Sequence, residues 1–219
     1  NPHWNNTTDW NGKEFGGTSW VYCMLDNYGG NTGMHGELLT IATQIPYALK
    51  NSSHMKGIGI TPEATQLNPV KFDLFWEMAW ETDSIDLNDW IKNYITRRYG
   101  EFSESCYEGW QLLLETVYGY CNPDGTPKYH LATDTSVVNV VPSLTRHQVG
   151  YDPEVFERAV ALIMKDFDRF KDNECYIYDV VDLLRQNVAN TQTAYHGMII
   201  DAYNSGNYKV FKKYKEKLL

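Results

Sequence analysis

The run Ser19–Leu25, SWVYCML, and the turn Asp26-Asn27-Tyr28-Gly29-Gly30-Asn31 behind it decide the fold. The run is short, apolar and aromatic with no helical period, the pattern of a strand buried on both faces of a parallel sheet. Glycines then supply the turn. Met55–Thr61, MKGIGIT, is a second run of this kind, and its two glycines point to close backbone packing or a barrel position. It leads directly into Pro62 and Glu63.

Between the two strands, Leu38, Leu39, Ile41, Ala42 and Ile45 share one broad face, which predicts a helix that Pro46 ends. After the second strand, Asn68-Pro69 reads as a side-chain cap followed by proline at the first helical position. Phe72, Phe75, Trp76, Ala79 and Trp80 recur at helical spacing behind it. The order is strand, helix, strand, helix, and residues 1–17 read as a loop entering a folded unit already under way.

Beyond about Asp86 the pattern is helical. Asp86 is placed to cap a segment with Leu87, Trp90, Ile91, Tyr94 and Ile95 inward, closed by Arg97, Arg98 and Gly100. Ser105 and Glu108 form a candidate capping box ahead of Trp110, Leu113, Leu114 and Val117. A turn-rich insertion spans Cys121–Pro142, with an extended stretch at Val137–Val141. Asp152-Pro153 opens a helix carrying Phe156, Ile163, Phe167 and Phe170, and a long helical pattern runs from about Glu174 to Tyr203.

Two βα units followed by helices predict an α/β then all-α chain: the last βα units of a (β/α)8 barrel over residues 1–85, then an α-helical C-terminal domain over 86–219. A whole barrel needs roughly 250 residues, so the expectation is that another chain or an upstream segment supplies the remainder of the barrel. The helical domain is expected to be incomplete as well. The opening Asn1-Pro2, in place of Met, points to processing or cleavage.

Composition narrows the function classes. Of 219 residues, 28 are acidic and 19 basic, giving a formal net charge of -9 with no Lys/Arg-rich block, which argues against nucleic acid and against an anionic membrane surface as partners. Aromatic residues make up 14%, including 7 Trp and 16 Tyr, a content that suits either large helical cores or a sugar-binding cleft, where ring faces pack on sugar C–H groups. Cys23, Cys106, Cys121 and Cys175 form no C-x-x-C pair; a Cys106–Cys121 bridge and free thiols both remain open. The six histidines are scattered without metal spacing, and no cofactor is implied. No apolar run approaches the length of a membrane span and no signal peptide is visible, while the sequons at Asn5, Asn6 and Asn51 permit glycosylation.

Barrel enzymes carry reactive groups just past the C-terminal ends of their strands. Two loops qualify, Asp26–Asn31 and Thr61–Ala64. Glu63 follows its strand at once and Pro62 stiffens the approach, as a nucleophilic carboxylate requires; a solvated loop carboxylate is the competing reading. Asn27 reads as a turn residue or a ligand contact, Tyr22 and Trp20 as core aromatics or sugar platforms, and Asp26 lies close enough to the mouth to compete as an acid.

The residues at these loops carry a family resemblance. Tyr22-Cys23-Met24-Leu25-Asp26-Asn27-Tyr28-Gly29-Gly30-Asn31 resembles the W-C-M-L-H-N-F-G-G-N segment of the alpha-N-acetylglucosaminidases, glycoside hydrolase family 89, whose lysosomal member degrades heparan sulfate. Gly57-Ile58-Gly59-Ile60-Thr61-Pro62-Glu63 is similar to the family's G-x-G-x-x-P-E, and Asn68, Glu77–Trp80, Arg97–Gly100, Trp110–Tyr118, Pro142–Leu144 and Tyr178–Gln186 continue the match in order. The resemblance implies a retaining exo-glycosidase acting on terminal alpha-linked N-acetylglucosamine, with Glu63 as nucleophile and Tyr22, Cys23, Asn27 and His130 as substrate contacts. It places the acid/base glutamate on an earlier strand, upstream of Asn1, so this chain alone is expected to be inactive. A secreted, periplasmic or lysosomal setting follows from the same resemblance. Rival readings are a non-catalytic carbohydrate-binding or helical interaction module, and a retaining glycosidase for another terminal sugar. Three positions depart from the pattern: Tyr22 stands for tryptophan, Asp26 for histidine and Ala64 for glycine.

Overall fold

Strand β1 (Trp20–Asp26) pairs in parallel with β2 (Met55–Pro62), with Tyr22 opposite Ile58, Cys23 opposite Gly59 and Asp26 opposite Pro62. The computed structural model describes residues 14–27, 33–63, 68–119 and 149–218. The turn at Tyr28–Asn31, Ala64, the Cys121–Pro142 insertion with His130, and Val137–Val141 lie outside these residues.

Parallel neighbours need a crossover, and helix α1 (Leu38–Asn51) provides it. Leu38, Ile41, Ala42, Ile45 and Ala48 are its buried side chains. Helix α2 (Pro69–Glu77) returns over the sheet and buries Val70, Lys71, Leu74 and Phe75. The sheet differs from expectation in one respect. Burial alternates along β1: Tyr22, Met24 and Asp26 are buried, while Val21 is exposed and Cys23 and Leu25 are half-buried. Helices cover one face, and no second layer covers the other among the described residues.

Pro46 does not end α1, which continues to Asn51. Proline deletes one amide donor, but Ile45, Pro46 and Ala48 are all buried, and packing them offsets the missing bond. Helix α2 stops at Glu77, leaving Ala79 and Trp80 in the turn that follows.

The helical part comprises α3 (Leu87–Tyr99), α4 (Glu104–Glu115), α5 (Pro153–Met164), the short α6 (Phe167–Phe170), α7 (Glu174–Asn204) and α8 (Tyr208–Leu218). Asp86 caps α3 by accepting from the Asn88 and Asp89 amides, and Gly100 ends it at φ 92. Asp152 caps α5. The cap of α4 is Ser103, not Ser105: Ser103 accepts from the Cys106 amide, while the Ser105 hydroxyl donates to Asp166 at 2.6 Å. The Ser105/Glu108 capping box is therefore replaced by a cap two residues earlier: α4 starts at Glu104, Ser105 lies inside it, and both serines donate to Asp166. Phe167 and Phe170 belong to α6 rather than to α5.

Aromatic rings hold this part together. Trp90 stacks on Tyr94 at 5.2 Å, Trp110 meets Tyr94 edge-on at 5.3 Å, and Tyr99 meets Tyr176 edge-on at 5.2 Å. Within them, Arg98 donates twice to Asp179, at 2.7 and 2.8 Å, and the Tyr99 hydroxyl donates to the same carboxylate at 3.0 Å. Trp110 donates in turn to the Tyr99 oxygen at 3.1 Å. Burial pushes the Tyr94, Tyr99 and Tyr118 hydroxyls well above the usual tyrosine range, so they stay neutral, and Tyr99 and Tyr118 act as donors. Gly109 lets α4 and α5 touch, since a Cβ there would fall 2.6 Å from Ile163 Cγ1 and 2.9 Å from the Ala159 carbonyl oxygen. Cys23, Cys106 and Cys175 are free thiols. No helix among the described residues is long and apolar enough to cross a membrane.

Candidate active site at the strand ends

The C-terminal ends of β1 and β2 meet where the Glu63 amide donates to the Asp26 carbonyl at 3.0 Å. That bond belongs to the last pair of the parallel ladder, Asp26 and Pro62, and closes it. It fixes the direction in which the chain leaves the sheet. Glu63 is exposed there. Glu63 lies one residue beyond the strand, at a bend, whereas Gly57, Gly59 and Thr61 of β2, opposite Val21, Cys23 and Leu25 of β1, belong to one face because side chains alternate along a strand. This is the open face, and glycines keep it low: a Cβ on Gly59 would come only to ordinary contact, 3.4 Å, with Cys23 Sγ.

Cys23, half-buried, is on that face, opposite Gly59. Tyr22, with 6% of its surface exposed, is on the opposite face and belongs to the core. Trp20 donates its indole N–H to Ser52 at 3.0 Å, tying the start of β1 to the end of α1. Asn27 follows β1 in a left-handed conformation, φ 55, and is fully buried. Asparagine tolerates that region better than most residues.

Sequence reasoning did not find what lies behind these residues. Asp26, fully buried, pairs with Lys71 of α2 at 2.5 Å. His35 Nε2 is 3.5 Å from the same carboxylate oxygen, and His35 Nδ1 lies 2.9 Å from the Gly33 carbonyl. A carbonyl only accepts, so Nδ1 carries the proton. A signal for Lys71 was present, because it occupies the apolar stripe of α2 with Val70, Leu74 and Phe75, where a charge needs a partner. The segment 33–37 is also held by the helical part: the Met34 amide donates to Gln186 of α7 at 2.8 Å, and the Gly36 amide donates to the Val117 carbonyl at 3.1 Å. Tyr118 donates to Asn68 Oδ1 at 3.1 Å, so the Asn68 side chain serves this contact in place of capping α2. Gln186 in turn donates to Asn190 at 3.1 Å and to the Tyr151 hydroxyl at 3.3 Å. Among the described residues, no group of three or more His, Cys, Asp or Glu could hold a metal ion. His130 lies outside the described residues.

Two parallel βα units with an exposed carboxylate just past a strand end, followed by a helical layer that grips the loops, define the class as a barrel segment with an appended helical domain. The chain belongs to the alpha-N-acetylglucosaminidase family. Residues 1–82 match the family's tim-barrel domain and residues 90–219 match its C-terminal domain. The chain is 31% identical over 195 residues to the alpha-N-acetylglucosaminidase of Homo sapiens, covering 87% of this chain and 25% of that protein. It is similar to a family 89 glycoside hydrolase from Clostridium perfringens in complex with 2-acetamido-1,2-dideoxynojirmycin, at 37% identity and a TM-score of 0.85, over 96% of this chain and 24% of that one. A variant of the Clostridium perfringens enzyme with two glutamates changed to glutamine, in complex with its substrate GlcNAc-alpha-1,4-galactose, matches at 36% identity and a TM-score of 0.85, with the same coverage of 96% and 24%. The chain thus spans about a quarter of the length of these relatives.

Proposed function

We propose that this chain supplies the nucleophile, Glu63, to a retaining exo-glycoside hydrolase that removes terminal alpha-linked N-acetylglucosamine from glycans. The observation that carries the reading is an exposed carboxylate held one residue past the end of a parallel strand whose open face is lined by glycines. A Glu63 carboxylate oxygen bonds to the anomeric carbon as the bond to the leaving oxygen breaks, and a second carboxylic acid protonates that oxygen. Water then cleaves the glycosyl–Glu63 ester with retention. In this mechanism the two carboxyls stand about 5 to 5.5 Å apart. The acid/base belongs to the part of the barrel outside this sequence, and the chain alone is inactive. Cys23, half-buried on the open face, is the proposed sugar contact on β1, and the buried Asn27 and Tyr22 and His130 of the insertion are proposed contacts on the family pattern alone. The proposed boundary between barrel and helical parts is near residue 86, and the proposed setting is secreted, periplasmic or lysosomal.

The test compares the completed protein, in which this chain is joined by the remaining barrel, with its Glu63→Gln variant on an aryl alpha-N-acetylglucosaminide. Turnover abolished by the substitution supports the nucleophile. Equal rates would remove it, and sugar binding without turnover in the unsubstituted protein would point to a binding module.

A further inference from the structure

We propose that the buried Asp26–Lys71 ion pair is a positioning device for the rim, fixing from the helix side the Asp26–Asn27 peptide and, through it, the Glu63 amide and the Asn27 side chain. The inference rests on the reading of Glu63 as nucleophile. It begins with the cost of the pair. The Lys71 and Asp26 side chains are 6% and 0% exposed, and a cation so placed must keep its anion or leave an uncompensated buried charge. The two groups are therefore obligate partners. Lys71 is confined along its stem as well: a Cβ on Gly36 would meet Lys71 Cδ at 3.2 Å and Tyr118 Cδ1 at 3.3 Å, so the 33–37 segment closes over the lysine.

The anchored residue is the one that matters for the rim. The carbonyl of Asp26 receives the Glu63 amide at 3.0 Å, and its C-terminal neighbour Asn27 holds a left-handed φ of 55. A non-glycine residue persists in that conformation when its surroundings over-determine it. His35 closes the cluster with Nε2 3.5 Å from Asp26 Oδ1, while Asp26 Oδ2 is buried and accepts no hydrogen bond from the described residues. Where the family pattern has histidine, this chain has a carboxylate, and α2 meets it with a lysine from its apolar stripe. A nucleophile must be held within a few tenths of an ångström of its productive geometry, and the pair supplies the rigidity from outside the pocket.

The test uses the completed protein with Lys71→Met, Asp26→Asn and the double variant, reading melting temperature, kcat and KM on the aryl glycoside, and hydrogen exchange at the Glu63 amide. Each single change lowers the melting temperature, and the double change restores it because no charge is left unpaired. In the double variant kcat nevertheless stays down by roughly tenfold to a hundredfold, KM stays within roughly twofold, and the Glu63 amide exchanges at least roughly tenfold faster while amides of α3 and α4 keep their rates. A double variant with restored stability, native kcat and native Glu63 protection would overturn the proposal and leave the pair a packing element. Should the double variant not fold, Asp26→Asn alone decides, since it keeps the shape and removes the charge. If the unsubstituted protein shows no turnover, or Glu63→Gln is fully active, the nucleophile reading falls. The exchange measurement still rules on positioning: native protection overturns it and lost protection upholds it.

Discussion

The helical part and the strand ends handle buried polar groups in opposite ways. Around Asp179 the arrangement is closed, with Arg98, Tyr99 and Trp110 linked in one chain of donors inside an aromatic shell. At the rim the carboxylate of Asp26 is anchored from one side, Asn27 holds a left-handed backbone and Glu63 is exposed. A closed network specifies packing. An open one, fixed from behind and exposed in front, leaves groups presented to whatever enters the barrel mouth, and the contrast separates what stabilises this chain from what it presents.

The sharpest way to break this contrast is Glu63→Gln in the completed protein. The expected loss in kcat is on the order of a thousandfold or more, worth about 4 kcal/mol of barrel chemistry. The melting temperature should not move, since the side chain is exposed. Asp179→Ala is the mirror experiment. It strands Arg98 in the aromatic shell and should cost about 3–5 kcal/mol in urea unfolding, and a cost below about 1 kcal/mol would show that the network is not the keystone of the helical part. Gly109→Ala forces Ile163 and the Ala159 carbonyl aside and is expected to cost about 1–3 kcal/mol through overpacking. Gln186→Leu tests the link between the regions: it leaves the Met34 amide without its acceptor at a cost of about 1–3 kcal/mol, with exchange rising at residues 33–37 before α7.

The smallest effect is a pH dependence at Asp166. Burial raises its carboxyl, but hydrogen bonds from Ser103 and Ser105 and the charge of Arg169 outweigh that and hold it below the ordinary value. A carboxyl lowered in the folded state stabilises at neutral pH and loses that contribution as pH falls below about 4. Asp166→Asn should therefore lower the melting temperature slightly at pH 7, leave it nearly unchanged in acid where Asp166 is already protonated, and so flatten the acid-side fall; an unaltered acid slope would rule the group out.

Much of this contrast was legible in the residues. The aperiodic apolar runs at Ser19–Leu25 and Met55–Thr61, the Asp86 and Asp152 caps and the Gly100 stop predict elements that the structure contains. Glu63 could be singled out because strand ends are where barrels place their chemistry. What escaped were contacts between distant segments. Nothing local says that Asn68 answers Tyr118 rather than its own helix, or that Asp166 gathers both Ser103 and Ser105 at the start of α4. Those choices are set by which acceptor the folded chain brings near, a quantity that periodicity and capping rules do not contain. Pro46 is the same lesson in reverse, a local stop signal overridden by the burial of its neighbours.

The hydrogen bond from Met34 to Gln186 joins residues 152 positions apart. During synthesis the strands leave the ribosome long before the residue that accepts from the loop between them, so residues 33–37 complete their hydrogen bonds only after α7 has emerged. Premature termination anywhere before α7 would release a chain that keeps the Asp26–Lys71 pair but lacks the Gln186 acceptor for Met34.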